Sequence, residues 1–149
     1  MNIAFDLDDL LIPTTCEFSV GSMVMRFPLN IIFKERLRVG TIGLLNELSK
    51  NHNIFIYTTS LRPRPYLYAW FRCLGIRLRG VVNYRVHSLA VLNTQYANLS
   101  KAPQLFGIDM MIDDSAGVEI ECRQQGVHCI VIDKDDPRWD SNILEALQG

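Results

Sequence analysis

Asn2–Leu11 reads NIAFDLDDLL. Ile3, Ala4 and Phe5 form a short, bounded apolar run, which suits a buried strand better than a helix. Three carboxylates, Asp6, Asp8 and Asp9, close it. Charges are seldom buried unpaired, so these are expected just past the strand's C-terminal end. In open α/β sheets that edge is where ligands bind. Asp6 and Asp8 are two apart and would face one side of a still-extended chain. Two carboxylates aimed at one point repel each other unless a cation or a proton intervenes.

Working outward, the same grammar repeats. Residues 17–20 and 23–27 alternate around Gly21-Ser22, which predicts a small β-hairpin. Ile42, Leu44, Leu45 and Leu48 make a helical stripe. Asn53–Tyr57 (NIFIY) is predicted as the second strand and runs into Thr58-Thr59-Ser60. Pro63 and Pro65 open a helix whose apolar face is Leu67, Trp70, Phe71 and Leu74, with Gly75 as its cap. Gly80–Asn83 is a short third strand, and Tyr84–Ser100 gives no clear pattern. Met110–Ile112 is a fourth strand ending in Asp113-Asp114-Ser115. A helix to Gln125, a fifth strand over His128–Ile132 and a helix over Trp139–Leu147 complete the chain. Strands alternating with helices imply an α/β fold: a Rossmann-like, doubly wound parallel sheet of about five strands with helices on both faces. Residues 1–149 are expected to form one domain, with the hairpin as a flap and no large cap domain.

Composition narrows the class. At 149 residues and 48% apolar content the chain can build a real core. No apolar run approaches the roughly 20 residues that span a bilayer. No basic n-region precedes the first strand, so a signal peptide is not expected and a cytoplasmic location is. The four cysteines form no CxxC pair and do not cluster with histidine, which favours free thiols over zinc or disulfides. The net charge of −1 hides an asymmetry. Leu48–Ile108 contains no Asp or Glu but eight Lys and Arg, whereas the stretch from Asp109 onward holds ten acids.

Four constellations fall where the chain should reach one sheet edge: Asp6/Asp8, Thr58/Thr59/Ser60, Lys101 and Asp113/Asp114. Singly each is weak, since an Asp pair before a helix is an ordinary N-cap arrangement. In this order, FDLD at Phe5–Asp8, IYTTS at Ile56–Ser60, Lys101 and MMIDDS at Met110–Ser115 resemble the haloacid dehalogenase (HAD) superfamily, chiefly its phosphatases. The resemblance spans Asn2 to about Ile132. One departure is Leu10, where the family usually has Thr or Val.

The resemblance implies an aspartyl-phosphate route, which splits one hard hydrolysis into two steps. Asp6 would be nucleophile and metal ligand, Asp8 the general acid and base with its main-chain carbonyl on the metal, and Asp113 and Asp114 further metal residues. A carboxylate approaching a phosphate dianion is repelled by about 4 kcal/mol per charge pair at 4 Å and an effective dielectric of 20. Mg²⁺, a hard cation that shares substrate phosphates, would remove that barrier. Thr58, by hydroxyl and amide, with Thr59 and Ser60 as fallbacks, would bind the phosphoryl oxygens, and Lys101 would neutralise them. The resemblance also implies strand order three-two-one-four-five. Arg62, Arg64 and Arg85 would then flank the site as a positive wall, facing Asp133, Asp135 and Asp136.

Neither slot for a lid is long enough for a folded cap. An open site suits a phosphate on a large or polyanionic molecule, or a lid supplied by another subunit of an oligomer. Nucleic acid would enter only as substrate, and no membrane partner is expected. A response-regulator receiver uses similar residues but places its lysine last, after the Thr. The remaining alternative is a non-catalytic HAD-like phosphate-binding or scaffold protein.

Overall fold

In the computed structural model, residues 1–21 and 25–148 are described. Five parallel strands form one sheet in the order β3-β2-β1-β4-β5. They are β1 (Asn2–Phe5), β2 (Asn53–Tyr57), β3 (Gly80–Val82), β4 (Met110–Asp113) and β5 (His128–Val131). The helices are α1 (Leu29–Ile32), α2 (Thr41–Leu48), α3 (Arg64–Cys73), α4 (Tyr84–Val91), α5 (Ala116–Gln124) and α6 (Trp139–Gln148). This is a Rossmann-like α/β architecture. None of the helices among the described residues is long and apolar enough to cross a membrane.

The central strand serves two cores. Ile3 and Phe5 are buried on one face among Leu45, Leu67, Trp70, Phe71 and Ile143. Ala4 is buried on the other with Tyr57, Met111, Val118 and Cys122. An all-apolar strand is what burial on both faces demands. At Gly80 a Cβ would stand 2.4 Å from the Phe55 ring, so any side chain there would force that ring to move. Gly126, at φ +70°, turns the chain out of α5 towards β5.

One local expectation changes, and another falls partly outside the described residues. Tyr84–Ser100 contains α4, whose N-cap is Asn83: its side chain accepts from the Val86 amide at 3.1 Å. Asn83 therefore starts a helix rather than ending β3. The predicted hairpin falls partly on Ser22, Met23 and Val24, which lie outside the described residues. Within them, the Gly21 amide donates to the Leu37 carbonyl and the Val39 amide to the Ser19 carbonyl, both at 2.9 Å. Residues 19–21 thus pair with 37–39, because Arg38 ties that partner to the body. Its guanidinium lies 4.7 Å from the Phe18 ring centre and 4.8 Å from that of Trp139. One of its nitrogens donates to the carbonyls of Asp133, Lys134 and Asp136. Alternation in sequence could not reveal an anchor about a hundred residues away.

Candidate active site

β1 ends at Phe5, and the next residue carries the site. The Asp6 amide still donates to the Ile112 carbonyl at 2.9 Å, which holds the chain against β4. The buried Asp6 carboxylate accepts from Lys101 Nζ. The same ammonium donates to Asp113 Oδ2 at 2.5 Å, while Asp113 Oδ1 accepts from the Ser115 amide at 2.9 Å. Burial pushes the Asp6 carboxyl well above the usual carboxylate range; Lys101 pulls it back, and the Asp113 charge adds to the rise. Burial works against the Lys101 charge, but Asp6 and Asp113 outweigh it and hold its pKa above the ordinary value. Burial and the neighbouring Asp113 also raise Asp114.

Asp6, Asp113 and Asp114 each offer an oxygen within 4.8 Å of the others. Three carboxylates at that spacing, all hard oxygen donors, could hold a divalent cation such as Mg²⁺.

Lys101 arrives on a loop fixed from two sides. Glu121 accepts from the Lys101 amide (3.0 Å) and from the Ser100 amide (3.0 Å) and hydroxyl (2.6 Å). Gln125 donates to the Lys101 carbonyl at 3.0 Å. On the other side the Ala102 amide donates to the Tyr57 hydroxyl at 2.8 Å, and that hydroxyl lies 2.6 Å from His87 Nδ1. His87 Nε2 lies 3.0 Å from the Leu99 carbonyl, so it carries the proton and Tyr57 donates to Nδ1. A lone lysine in sequence is thereby made a buried ion with a fixed position.

Asp8 faces elsewhere. Its two oxygens accept from Arg62 Nη1 at 2.9 and 3.0 Å, from the Thr58 hydroxyl at 3.1 Å and from the Thr14 hydroxyl at 2.9 Å. The Arg62 Nε and Nη2 donate to Glu35 at 2.9 and 2.6 Å, and the Tyr66 hydroxyl donates to Glu35 at 3.2 Å. Asp6 and Asp8 therefore share the sheet edge but not their partners. Asp9 is structural: at φ +62° its carboxylate accepts from the amides of Thr14, Thr15 and Cys16. Burial alone would raise Asp9, but the bonds from Thr15, Cys16 and Thr14 outweigh it and hold it far below its usual range. Leu10 is fully buried in the core, which accounts for an apolar residue at that position.

Thr58 is buried beside Asp8, with its hydroxyl at the site. Its amide is not free for a phosphoryl group, because it donates to the Val82 carbonyl at 2.9 Å and extends the β2–β3 ladder. Thr59 is exposed, and Ser60 Oγ lies 3.0 Å from Thr58 Oγ1. Arg62 turns inward to Asp8 and Glu35, so it is not part of an outer wall. Arg64 and Arg85 do line the flank beside β2 and β3. On the β5 flank, Asp9, Asp114, Asp133 and Lys134 border an open cleft. Glu35, Thr14, Tyr66, Glu121 and the Tyr57–His87 pair carry no signal in sequence; each meets its partner through the fold alone.

No protein-family model and no curated protein matches this chain. Among solved structures, it is similar to one described as a predicted HAD-like family hydrolase from Porphyromonas gingivalis. The TM-score is 0.54 and the identity 14%, over 99% of this chain and 98% of that one. It is also similar to a chain in the structure of the Pnkp1/Rnl/Hen1 complex, at TM-score 0.53 and 14% identity. That match covers 90% of this chain and 46% of the other. At such identity these likenesses show a shared fold alone, described as HAD-like in the first of them.

Proposed function

We propose that this chain is a HAD-type hydrolase, a Mg²⁺-dependent phosphatase that cleaves a phosphate monoester through an aspartyl-phosphate on Asp6. The observation that carries this reading is the convergence of Asp6, Lys101 and Asp113 at one sheet edge, with Asp8 and Thr58 beside them. The HAD-like neighbour supports the same class. A cation held by Asp6, Asp113 and Asp114 would offset the charge of the incoming phosphate and keep Asp6 ionised.

The chain's own residues do the rest. An Asp6 oxygen attacks phosphorus as the bond to the leaving oxygen breaks, and Asp8 gives that oxygen its proton. Asp8 then takes a proton from water, whose oxygen attacks phosphorus and breaks the bond to Asp6. Inorganic phosphate leaves and Asp6 is restored. Lys101 Nζ, already on Asp6, neutralises the transferring group, and the Thr58 hydroxyl binds one of its oxygens. At rest the Asp8 carboxylate is held in place by four hydrogen bonds, two of them from Arg62.

The test is phosphate release from nitrophenyl phosphate and a broad panel of phosphorylated compounds, with Mg²⁺ and with chelator. Asp6→Asn should abolish turnover and the acid-stable phosphoenzyme while its circular dichroism stays unchanged. Wild-type turnover in Asp6→Asn would sink the proposal. Phosphate binding with no release from any panel member would favour the scaffold reading.

A further inference from the structure

Beside the site, between the starts of α3 and α4, lies an open groove of about 640 Å³. Its lining comes from the segments that follow β2 and β3. Leu61, on its wall, is three residues after Thr58. Asn83, on its floor, donates to the Arg62 carbonyl at 3.0 Å, and the Tyr84 amide donates to the Ser60 carbonyl at 3.0 Å. β3 is two strands from β1, so the groove begins about 10 Å from Asp6.

Its lining combines two chemistries. Arg64 and Arg85 supply positive charge, and among the described residues no carboxylate pairs with either. Arg64 is oriented: its Nε donates to the Val81 carbonyl at 2.9 Å and its guanidinium carbon lies 5.9 Å from the Tyr68 ring centre. Around these cations lies bare apolar surface. Leu61 is 69% exposed and Leu89 70%, although both border the groove. Clustered exposed apolar side chains with a charged rim mark a binding surface. No acid occurs on the groove or anywhere in Leu48–Ile108.

We propose that this groove binds the nucleotides next to a terminal phosphate on a single-stranded nucleic acid, so that a strand end is the substrate presented to Asp6. A strand offers what the lining lacks: backbone anions for the two arginines and flat base faces for the leucines and Tyr68. An acidic peptide would satisfy the arginines and leave the leucines wet. A free nucleotide would meet the same groups singly, in a groove with no lid to hold it. The catalytic part of this inference rests on the phosphatase reading, but the binding part does not.

Binding is measured by fluorescence anisotropy with a labelled strand of about eight nucleotides carrying a terminal phosphate, in chelator to prevent turnover. The Arg64→Ala/Arg85→Ala double variant should bind about tenfold more weakly at moderate salt, and its slope of log affinity against log salt should be shallower by about 1.4. Leu61→Ser/Leu89→Ser should weaken binding without changing the slope. Hydrolysis of nitrophenyl phosphate should stay within about twofold of wild type in both variants. The inference is overturned if wild type binds the strand no tighter than about 100 μM, or if the arginine variant binds unchanged. It is equally overturned if a phosphopeptide of equal charge, or a mononucleotide, binds as tightly as the strand. If wild type hydrolyses neither substrate yet binds the strand as described, the phosphatase reading fails and the groove stands.

Discussion

Replacing Lys101 by methionine probes the centre of the site. The two side chains are similar in length, so packing is largely kept while one buried charge is removed. Asp6 and Asp113 are then left facing each other. Their ligand oxygens lie within 4.8 Å, and at an effective dielectric of 20 two unit charges at that distance repel by about 3.5 kcal/mol. This agrees with the 3–5 kcal/mol typical of breaking a buried ion pair. For a chain of this size about 1 kcal/mol moves Tm by roughly 3 °C, so Lys101→Met should melt about 10 °C lower in chelator. The loss should shrink as pH falls, because a proton on Asp6, whose affinity burial already raises, removes one of the two charges. Mg²⁺ should raise the Tm of the variant more than that of wild type, since a cation at Asp6, Asp113 and Asp114 replaces the missing charge. Lys50→Met is the control: its 2.5 Å contact with Glu47 is exposed and should be worth under about 1 kcal/mol. Thermal melts of the three proteins across pH, in chelator and in Mg²⁺, decide the matter. A Lys101→Met loss no larger than that of Lys50→Met, or equal Mg²⁺ increments in variant and wild type, would refute the reasoning.

Arg62→Ala removes the bridge between Asp8 and Glu35, and kcat for substrates with poor leaving groups should fall by about 10²; Arg62→Lys, which cannot span both carboxylates, should recover only part. Steady-state assays on alkyl and nitrophenyl phosphates would show it. Burial lowers the pKa of His87, while its bond to the Leu99 carbonyl opposes the shift. The unfolded chain then takes up the proton first, so this stability is full above the ordinary value of 6.5 and is lost as pH falls through the folded value. His87→Gln should flatten the fall of Tm below that pH, as measured by melts at stepped pH. Arg38→Met deletes three bonds to carbonyls and two ring contacts, and should lower stability by about 3 kcal/mol in denaturant titrations without changing turnover of a small phosphate.

What the sequence determined by itself was whatever depends on neighbours along the chain. Ile3-Ala4-Phe5 and Met110-Met111-Ile112 read as short buried strands, and each runs into acids. The positions of Asp6, Thr58 and Asp113 at one edge followed from strand and helix alternation, and that of Lys101 only from its place in the order of the motifs. The helix inside Tyr84–Ser100 was missed, because its apolar residues are divided between Val91 in the interior and Leu89 in the solvent, which blurs the period.

Tertiary structure decided the rest. Arg62 was legible as a positive residue near the site, but its partners were not: Glu35 is 27 residues away and Asp8 is 54. Lys101 is an unremarkable lysine until Tyr57, His87, Glu121 and Gln125 pin its loop over Asp6. Residues 19–21 pair with 37–39, because Arg38 is held by carbonyls beyond β5. Hydrogen bonds and ion pairs act over about 3 Å of space whatever the separation in sequence. A pattern of residue types can therefore place the ends of elements, while only the packed chain shows which side chains meet there.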